Sequence, residues 1–464
     1  KWAFFPSASV AWRISDEPWM GWSRRALDNA KIRLSAGSMG NGNVSPYSYT
    51  SEMTVSTADD IVLGGSYPSY TSVGSTVPVS LTWEKSTTYD VGLDLDFFNN
   101  RLSVSGDYYR RYTTDMYTAS VALPAVYGTG SPKGNNAEMK TDGWELSLSW
   151  RDSFKLGGKP FDYSIKAMVW DSKSVITKYV NDTGSLGTVK GFIENGGSPS
   201  SYYVGMTVGE IWGYTVAGLF RDQADIDSSA IHDFVQASDK VTRPGQVKIA
   251  DLDGNGFIDP GNFAVDDHGD LRIIGNQSPR YRYGVNLSAR WNGIGLSVFL
   301  QGVGARDWYP GSDAGMFWGK YGRPFFALIP SIHNYTDDMY SAERNNWDTA
   351  YWPRMTTYQS NGTKNWTRLL EIPNTRYIQS AAYLRVKNIQ LDYSFPKHIC
   401  SAIRLQGLKI YVNAENLFTF TPLHKYAPNF DPEGLSYDSD FASAADGYTY
   451  PILKSVTVGV NITF

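Results

Sequence analysis

The 464-residue sequence predicts an all-β protein, a transmembrane antiparallel β-barrel with long extracellular loops. Three observations favour this fold. Apolar and polar residues alternate along the strands, aromatic residues stand at both ends of the apolar rows, and the connections alternate between short and long. No run of about 18 apolar residues occurs, which excludes a transmembrane helix. We therefore expect residues 1–464 to belong to a single barrel domain.

The composition narrows the function classes. There are 42 Lys and Arg against 46 Asp and Glu, giving a net charge of -4 without a basic block, so nucleic acid is not an expected partner. The single cysteine excludes an intrachain disulfide. Aromatic residues make up 14% of the chain although the mean hydropathy is only -0.34. A barrel explains both values, because only every second strand residue contacts lipid while Tyr and Trp collect at the interfaces.

The alternation is clearest in residues 89–97, where the apolar positions are Tyr89, Val91, Leu93, Leu95 and Phe97. Residues 144–151 and 281–291 repeat the pattern, with Trp or Tyr at both ends of each apolar row. Such rows match an apolar band roughly 25 Å tall between two aromatic girdles.

The pattern predicts eleven strands, at 3–14, 31–40, 85–97, 101–117, 142–152, 160–175, 280–291, 294–306, 380–395, 408–420 and 447–464. Their connections fall into two sets. The short set is 15–30, 98–100, 153–159, 292–293 and 396–407, and the long set is 41–84, 118–141, 176–279, 307–379 and 421–446. This is the asymmetry of outer-membrane barrels, whose periplasmic turns are short and whose extracellular loops are long. Since bacterial single-chain barrels have even strand numbers, we expect the eleven strands to be part of a larger barrel.

One strand breaks its own alternation. Leu384 and Val386 share one phase, whereas Ile389, Leu391 and Tyr393 follow the other. A one-residue slip would turn the second group to the wrong face. We therefore predict a β-bulge near residues 387–388.

Several segments carry a family resemblance, which extends over essentially the whole chain. They are Trp2–Ile14, Tyr89–Leu93 with Asn99–Leu102, Gly143–Leu148, Asp251–Asp259, Ile273–Asn276, Tyr383–Ile389, Asn413–Phe418 and the final Phe464. In this order and spacing they resemble the SusC/RagA family of TonB-dependent transporters. The resemblance implies a 22-stranded barrel, of which these are about the last eleven strands. It also implies a plug domain, a TonB box and an N-terminal periplasmic domain, all expected before Lys1.

The resemblance further implies a function and its partners. It implies TonB-dependent import of oligomeric nutrients across the bacterial outer membrane, with a SusD-like surface lipoprotein as the lid and glycans or peptides as cargo. Aromatic residues set among Asp and Asn favour glycans. The alternatives are a secreted calcium-binding adhesin or glycan-binding β-protein, and a passive porin.

Catalytic motifs are missing from the sequence. The five histidines are scattered without the H-E-x-x-H spacing of zinc enzymes, and neither a G-x-S-x-G elbow nor a P-loop occurs. The carboxylates stand mostly on polar strand faces or in loops. We therefore expect a protein that is not an enzyme.

Residues 251–262 match much of an EF-hand calcium loop. The candidate ligands are Asp251, Asp253, Asn255, the Phe257 carbonyl and Asp259. Asn262 stands where a bidentate Glu is expected, so a further ligand would come from Asp266, Asp267 or Asp270. Because Asp-Gly and Asn-Gly are also ordinary turn sequences, calcium binding and a plain turn both remain open.

The 307–379 connection is rich in aromatic residues, whose flat faces suit sugar rings or peptide side chains. The candidate substrate-binding residues are Trp308, Tyr309, Trp318, Tyr321, Trp347 and Trp352. Long loops also need small cores of their own, and the same rings could serve that purpose. We expect most of them to fold the loop and one or two to face cargo.

Overall fold

The computed structural model describes residues 2–23, 26–42, 50, 53–74, 81–120, 126, 133–188, 191–192, 198–232, 242–311, 314–318, 338–354, 372–435 and 452–464. Eleven strands form one antiparallel sheet in which each strand pairs with its neighbours in the chain. They are β1 (Ser7–Arg13), β2 (Leu27–Asn41), β3 (Glu84–Phe97), β4 (Leu102–Ala119), β5 (Lys133–Leu156), β6 (Lys159–Lys178), β7 (Arg280–Trp291), β8 (Ile294–Ala305), β9 (Tyr383–Ser394), β10 (Gly407–Phe420) and β11 (Ser455–Thr463).

Shorter elements lie in the connections. Four antiparallel pairs join Met53–Thr57 to Ser69–Val73, Glu210–Tyr214 to Leu271–Asn276, Val216–Leu219 to Val247–Ile249, and Asp307–Trp308 to Gln379–Ser380. Short α-helices span Gln223–Asp227, Gly315–Trp318 and Lys397–Ala402, and 3-10 helices span Ile14–Asp16, Pro18–Ser23 and Pro422–Lys425. In the described part of the chain, no helix has the length and apolar character needed to cross a membrane.

All eleven predicted strands are present, in the predicted order. The largest difference is β5, which begins at Lys133 although the alternation indicated residue 142. The extra residues pair with both neighbouring strands, as the partners Ala119 with Lys133 and Glu138 with Lys178 show. β11 is shorter than the predicted strand 447–464, since it spans only Ser455–Thr463.

The two faces of the sheet differ in polarity. One row of partners runs from β1 to β5 through Val10, Leu34, Val91, Tyr108 and Trp144. These side chains are all exposed, the least of them by 37%. A continuous row of exposed, large apolar side chains is what a lipid-facing surface requires. The residues between them carry the polar groups of the opposite face, called the polar face below.

The connections separate by length as predicted, with one exception: 120–132 is no longer than 14–26, because β5 begins at Lys133. The short ones are 14–26, 98–101, 157–158, 292–293 and 395–406, and the long ones are 42–83, 120–132, 179–279, 306–382 and 421–454. Since neighbouring strands run antiparallel, the short connections lie at one end of the strands and the long connections at the other. These two rims of the sheet, formed by the strand ends, are called its edges below. The 292–293 turn is tight, with φ of 49° at Asn292 and 87° at Gly293, the left-handed pair that a two-residue hairpin needs.

The predicted bulge is confirmed in β9. Phe299 of β8 pairs with Asn388 and Leu300 pairs with Val386, so Lys387 is the extra residue. Asn388 then bonds to Asn413 across the polar face, while Leu391 on the other face is 52% exposed. The bulge thus keeps Leu384, Val386, Ile389 and Leu391 in one apolar row.

The largest buried core lies in the long connections and not in the sheet. Its members come mainly from 179–279, 306–382 and 421–435. They include aromatic residues with less than 2% exposure, among them Phe192, Tyr214, Trp308 and Trp352. Three of the connections at this edge therefore form one packed layer.

Candidate functional site

The polar face carries charged side chains that bond to one another. Arg33 on β2 donates from Nε to Asp94 at 2.8 Å and from Nη2 to Asp107 at 2.8 Å. A Cβ at Gly92 would lie 2.6 Å from the guanidinium carbon, so only glycine lets Arg33 lie flat across β3. Ser105 Oγ completes the cluster by donating to Asp94 at 2.7 Å. This stretch of wall is polar, and its two carboxylates share one guanidinium.

Two concavities follow this face near the short connections. The first, about 640 Å³ in volume, is lined by hydroxyls and charged groups that include Ser147, Ser149 and Lys166. The second has a volume of about 740 Å³ and is lined in part by Asp392. The Asp392 carboxylate lies 3.2 Å from Lys409 Nζ, in the space that a side chain at Gly295 would occupy. Both have the hydroxyl-rich, mixed-charge surface of a water-filled passage.

A buried ion cluster ties the polar face to the connection that follows β10. Arg385 is 3% exposed and contacts Asp431 at 2.7 Å and Glu433 at 3.0 Å. Lys387, on the same face as Arg385, reaches Glu433 at 2.8 Å. Arg306 joins the same segment by donating to the Leu435 carbonyl at 2.7 Å. Cations of β9 and of the connection before it therefore hold residues 431–435 against the wall.

Most of the predicted substrate-binding rings lie inside the loop core. Trp308, Tyr309, Trp318 and Trp352 are at most 1% exposed, and Trp347 is half-buried against them. Trp318 and Trp352 form an edge contact with ring centroids 6.2 Å apart. In this arrangement the four buried rings fold the loop and offer no surface to a ligand. Tyr321 lies outside the described residues.

The acidic turn at 251–270 forms as predicted. Asp251 accepts from the Gly254 and Gly256 amides at 2.7 and 2.9 Å, and these N–H groups lower the pKa of its carboxyl. Asp270 is fully buried and accepts from the Leu252 and Asp259 amides at 2.6 and 3.1 Å. Burial raises the pKa of Asp270. Gly254 and Gly256 adopt φ of 76° and 84°, as the tight curve requires.

The turn brings only some of the predicted metal ligands together. Oxygens of Asp251, Asp253 and Asp270 lie within 4.8 Å of one another. Asp270 is therefore the one of the three suggested replacements that approaches Asp251. Asn255 accepts from the Phe257 amide at 2.7 Å, and Asp259 accepts from the Gly261 amide at 2.7 Å. Calcium binding by this group stays a prediction.

Sequence reasoning missed three buried polar residues. His232 accepts from the Ile249 amide at Nε2, and burial lowers its pKa. The Arg385 cluster and the unpartnered hydroxyl of Tyr214, 1% exposed, were also missed. For Arg385 a signal existed, because a cation two residues before the bulge stands on the polar face of β9. No local pattern points to His232 or Tyr214, because the burial of both depends on segments distant in the chain.

Known proteins with a sequence similar to this chain are TonB-dependent receptors. The family described as "TonB dependent receptor-like, beta-barrel" matches residues 1–417. Curated relatives are TonB-dependent receptor P3 of Formosa agariphila, 26% identical, and TonB-dependent receptor SusC of Bacteroides thetaiotaomicron, 24% identical. Each alignment covers 100% of this chain, and it covers 42% and 40% of these relatives, respectively. The chain thus spans about two fifths of their length.

Solved structures show the same fold. The RagAB peptide importer in its "closed-closed" state matches with a TM-score of 0.68 and 19% identity, and the RagAB peptide transporter with 0.67 and 19%. Both matches cover 100% of this chain and 44% of the matched chain. The eleven-stranded sheet therefore has the fold of part of an outer-membrane barrel, which makes its polar face the inner face.

Proposed function

The chain belongs to the TonB-dependent receptor-like β-barrel family of the outer membrane, and we propose that it takes part in nutrient import. In this proposal the chain forms part of the wall and the mouth of an active importer of oligomeric nutrients. The observation that carries this proposal is the division of the sheet into two faces. One face presents a row of exposed apolar side chains to lipid, and the other carries ion pairs beside hydroxyl-rich concavities. Its relatives are receptors, and the role we propose is transport without catalysis.

The energy source and the lid follow from the family. We propose that the TonB complex drives import through the N-terminal part of the whole protein, and that a SusD-like lipoprotein covers the mouth. The SusC relative and the two-component RagAB structures support these partners. The lid would dock on the edge with the long connections, because there the described parts of 179–279 and 306–382 build a packed layer.

We propose glycans as the cargo. The guanidinium of Arg33 is already shared by the carboxylates of Asp94 and Asp107, so a neutral polyhydroxyl chain disturbs this part of the inner wall less than a charged peptide. Ser147 and Ser149 offer hydroxyls to such a chain. Peptides are the second candidate, since RagAB is a peptide importer. Uptake by the intact transporter of peptides alone would contradict the glycan proposal.

A paired substitution tests the passage. Ser147→Trp/Ser149→Trp fills the first concavity of the inner wall, and the matched variant Leu146→Trp/Leu148→Trp places the same bulk on the lipid-facing side of β5. In a strain that depends on the full-length protein, the first variant should reduce uptake several-fold at equal membrane level. The second should leave uptake unchanged. Equal uptake by both variants would contradict a passage along this wall.

Two further measurements separate the alternatives. A barrel should show a heat-modifiable band on SDS gels and need detergent for extraction, whereas a secreted adhesin would be soluble without it. An active importer should stop when the proton-motive force is collapsed. Uptake that continues unchanged would instead indicate a passive porin.

A further inference from the structure

Three carboxylates in the connection between β6 and β7 have the spacing of a cation site. Oxygens of Asp251, Asp253 and Asp270 lie within 4.8 Å of one another. Two oxygens bound to one Ca²⁺ at about 2.4 Å can be no farther apart than about 4.8 Å, when they stand on opposite sides of the ion. The three oxygens are therefore spaced as ligands of a single ion.

Burial makes this cluster unlike an ordinary acidic surface. Asp270 is 0% exposed, and its two oxygens accept from the amides of Leu252 and Asp259. Among the described residues no cationic side chain pairs with it. A buried carboxylate that also faces two other carboxylates costs free energy unless positive charge compensates it.

An independent observation comes from Tyr214, which lies at the base of the turn. Its backbone pairs with Leu271, and the next carbonyl, of Thr215, accepts from Ala250, so it stands between the two ends of the acidic segment. The side chain is 1% exposed, its hydroxyl has no hydrogen-bond partner, and this hydroxyl lies in the field of Asp270 and Asp259. A buried hydroxyl without a partner is expensive, and a water bound to an ion at the neighbouring carboxylates would satisfy it.

We propose that residues 251–270 bind one Ca²⁺ through Asp251, Asp253 and Asp270, and that Tyr214 supports the site from below. The Asn255 side chain, the Phe257 carbonyl, Asp259 and water are available to complete the six to eight oxygens of the ion. Ca²⁺ accepts such an irregular set of carboxylates and carbonyls, whereas Mg²⁺ demands near-ideal octahedral geometry.

The ion would order a junction of the loop layer. Ile231 donates to the Gly256 carbonyl and accepts from the Ile258 amide, both at 2.8 Å, and Ile258 is 1% exposed. This bridge ties the acidic turn to the segment that contains His232. Calcium would therefore fix the turn, Ile231 and the strand of Tyr214 as one unit. The role is structural, and it stands independently of transport.

Calorimetry on the full-length receptor in detergent, stripped with chelator, tests the proposal with Ca²⁺ as the titrant. We expect one site with a dissociation constant of about 0.1–1 mM, as in extracellular modules. Asp253→Asn should weaken binding by about tenfold or more, because it removes an exposed ligand without disturbing the core. The matched control is Asp266→Asn, an exposed carboxylate of the same segment outside the cluster, which should bind as the unsubstituted protein does.

A second readout follows the backbone. Ca²⁺ should slow amide exchange across residues 251–259, and Tyr214→Phe should reduce that protection while the heat-modifiable band shows an intact barrel. No calcium-dependent heat in the unsubstituted receptor, equal binding by Asp253→Asn, or equal affinity for Mg²⁺ would each overturn the proposal. Since none of these measurements depends on cargo uptake, a failure of the transport proposal would be recognised separately.

Discussion

His232 is satisfied only in its neutral form. Nε2 accepts from the Ile249 amide at 3.0 Å, so Nδ1 carries the proton and donates to the Ala230 carbonyl at 2.7 Å. Burial, and to a lesser degree the nearby Lys248, lowers the pKa of the imidazole. A lowered folded-state pKa means that the stabilisation is complete above the ordinary value of about 6.5 and is lost as the pH falls below it.

Mild acid should therefore loosen the segment around His232. We expect the intrinsic-rate-corrected exchange of the Ile249 amide to rise as the pH falls from about 7.5 to 5.5. His232→Gln is the matched control, because an amide oxygen can accept from Ile249 and does not titrate. The same pH dependence in both proteins would show that another group is responsible.

Arg385 and Lys387 contact the same carboxylate but differ in burial. Arg385 is 3% exposed and holds Asp431 and Glu433, whereas Lys387 is 22% exposed and holds Glu433 alone. Arg385→Met would leave two carboxylates without their buried cation, which costs about 3–5 kcal/mol in comparable sites. Denaturant unfolding in detergent should show a clearly smaller loss for Lys387→Met. Equal losses would contradict the dominance of the buried guanidinium.

At the scale of the strand, alternation was enough to predict the sheet. β7 and the start of β8 lie where the sequence pattern placed them, since lipid and water on opposite faces impose a period of two. The same period predicted the bulge, because Leu384 and Ile389 cannot share a face without an extra residue. Alternation gave the wrong start for β5. The strand begins before the apolar row, and its additional residues pair with both neighbouring strands.

The bulge can be tested by deletion. Removing Lys387 should leave Leu384, Val386, Ile389 and Leu391 in one phase, so we expect the barrel to assemble with its heat-modifiable mobility intact. Removing Gln390 from the same strand would turn Leu391 to the polar face, and assembly should fail. Failure of both deletion variants would show that the bulge itself, beyond its phase correction, is required.

The two-residue turns permit a matched pair of glycine substitutions. Gly293 and Gly158 have φ of 87° and 78°, so alanine at either strains the backbone by about 1–2 kcal/mol. A Cβ at Gly293 would also lie 2.6 Å from the Ser394 carbonyl, whereas a Cβ at Gly158 meets nothing within 4 Å. Gly293→Ala should therefore lower the unfolding midpoint more than Gly158→Ala. An equal effect would assign the whole cost to backbone strain.

At the scale of the molecule, the packed core of the long connections could not be predicted from the sequence. The sequence predicted that most aromatic residues of this connection fold the loop but did not tell which ones, and the structure packs Trp308 and Trp352 in a core. Their burial depends on contacts with segments far along the chain, such as Trp308 with Phe430, ring centroids 4.8 Å apart. The local alternation of apolar and polar residues indicates which face of a strand contacts water, and it does not predict contacts between distant segments.

The separation of short and long connections predicts the orientation of the whole sheet in the membrane, and this prediction is open to direct test. Family resemblance and the rule for outer-membrane barrels place the long connections outside the cell. In a Cys400→Ser background, Asp182→Cys lies in the connection between β6 and β7, and His398→Cys in the helix that joins β9 to β10. Both positions are exposed, so their thiols should react equally once the membrane is opened.

In intact cells, a membrane-impermeant maleimide should label only the protein with Cys at position 182. The reason is topological: eleven antiparallel strands with an unbroken neighbour order leave no way for the two connections to share an edge. Labelling at position 398 alone would invert the orientation, and with it the proposed place of the lid. Labelling of both in intact cells would contradict a sheet that spans the membrane, since both edges would then face the same solvent.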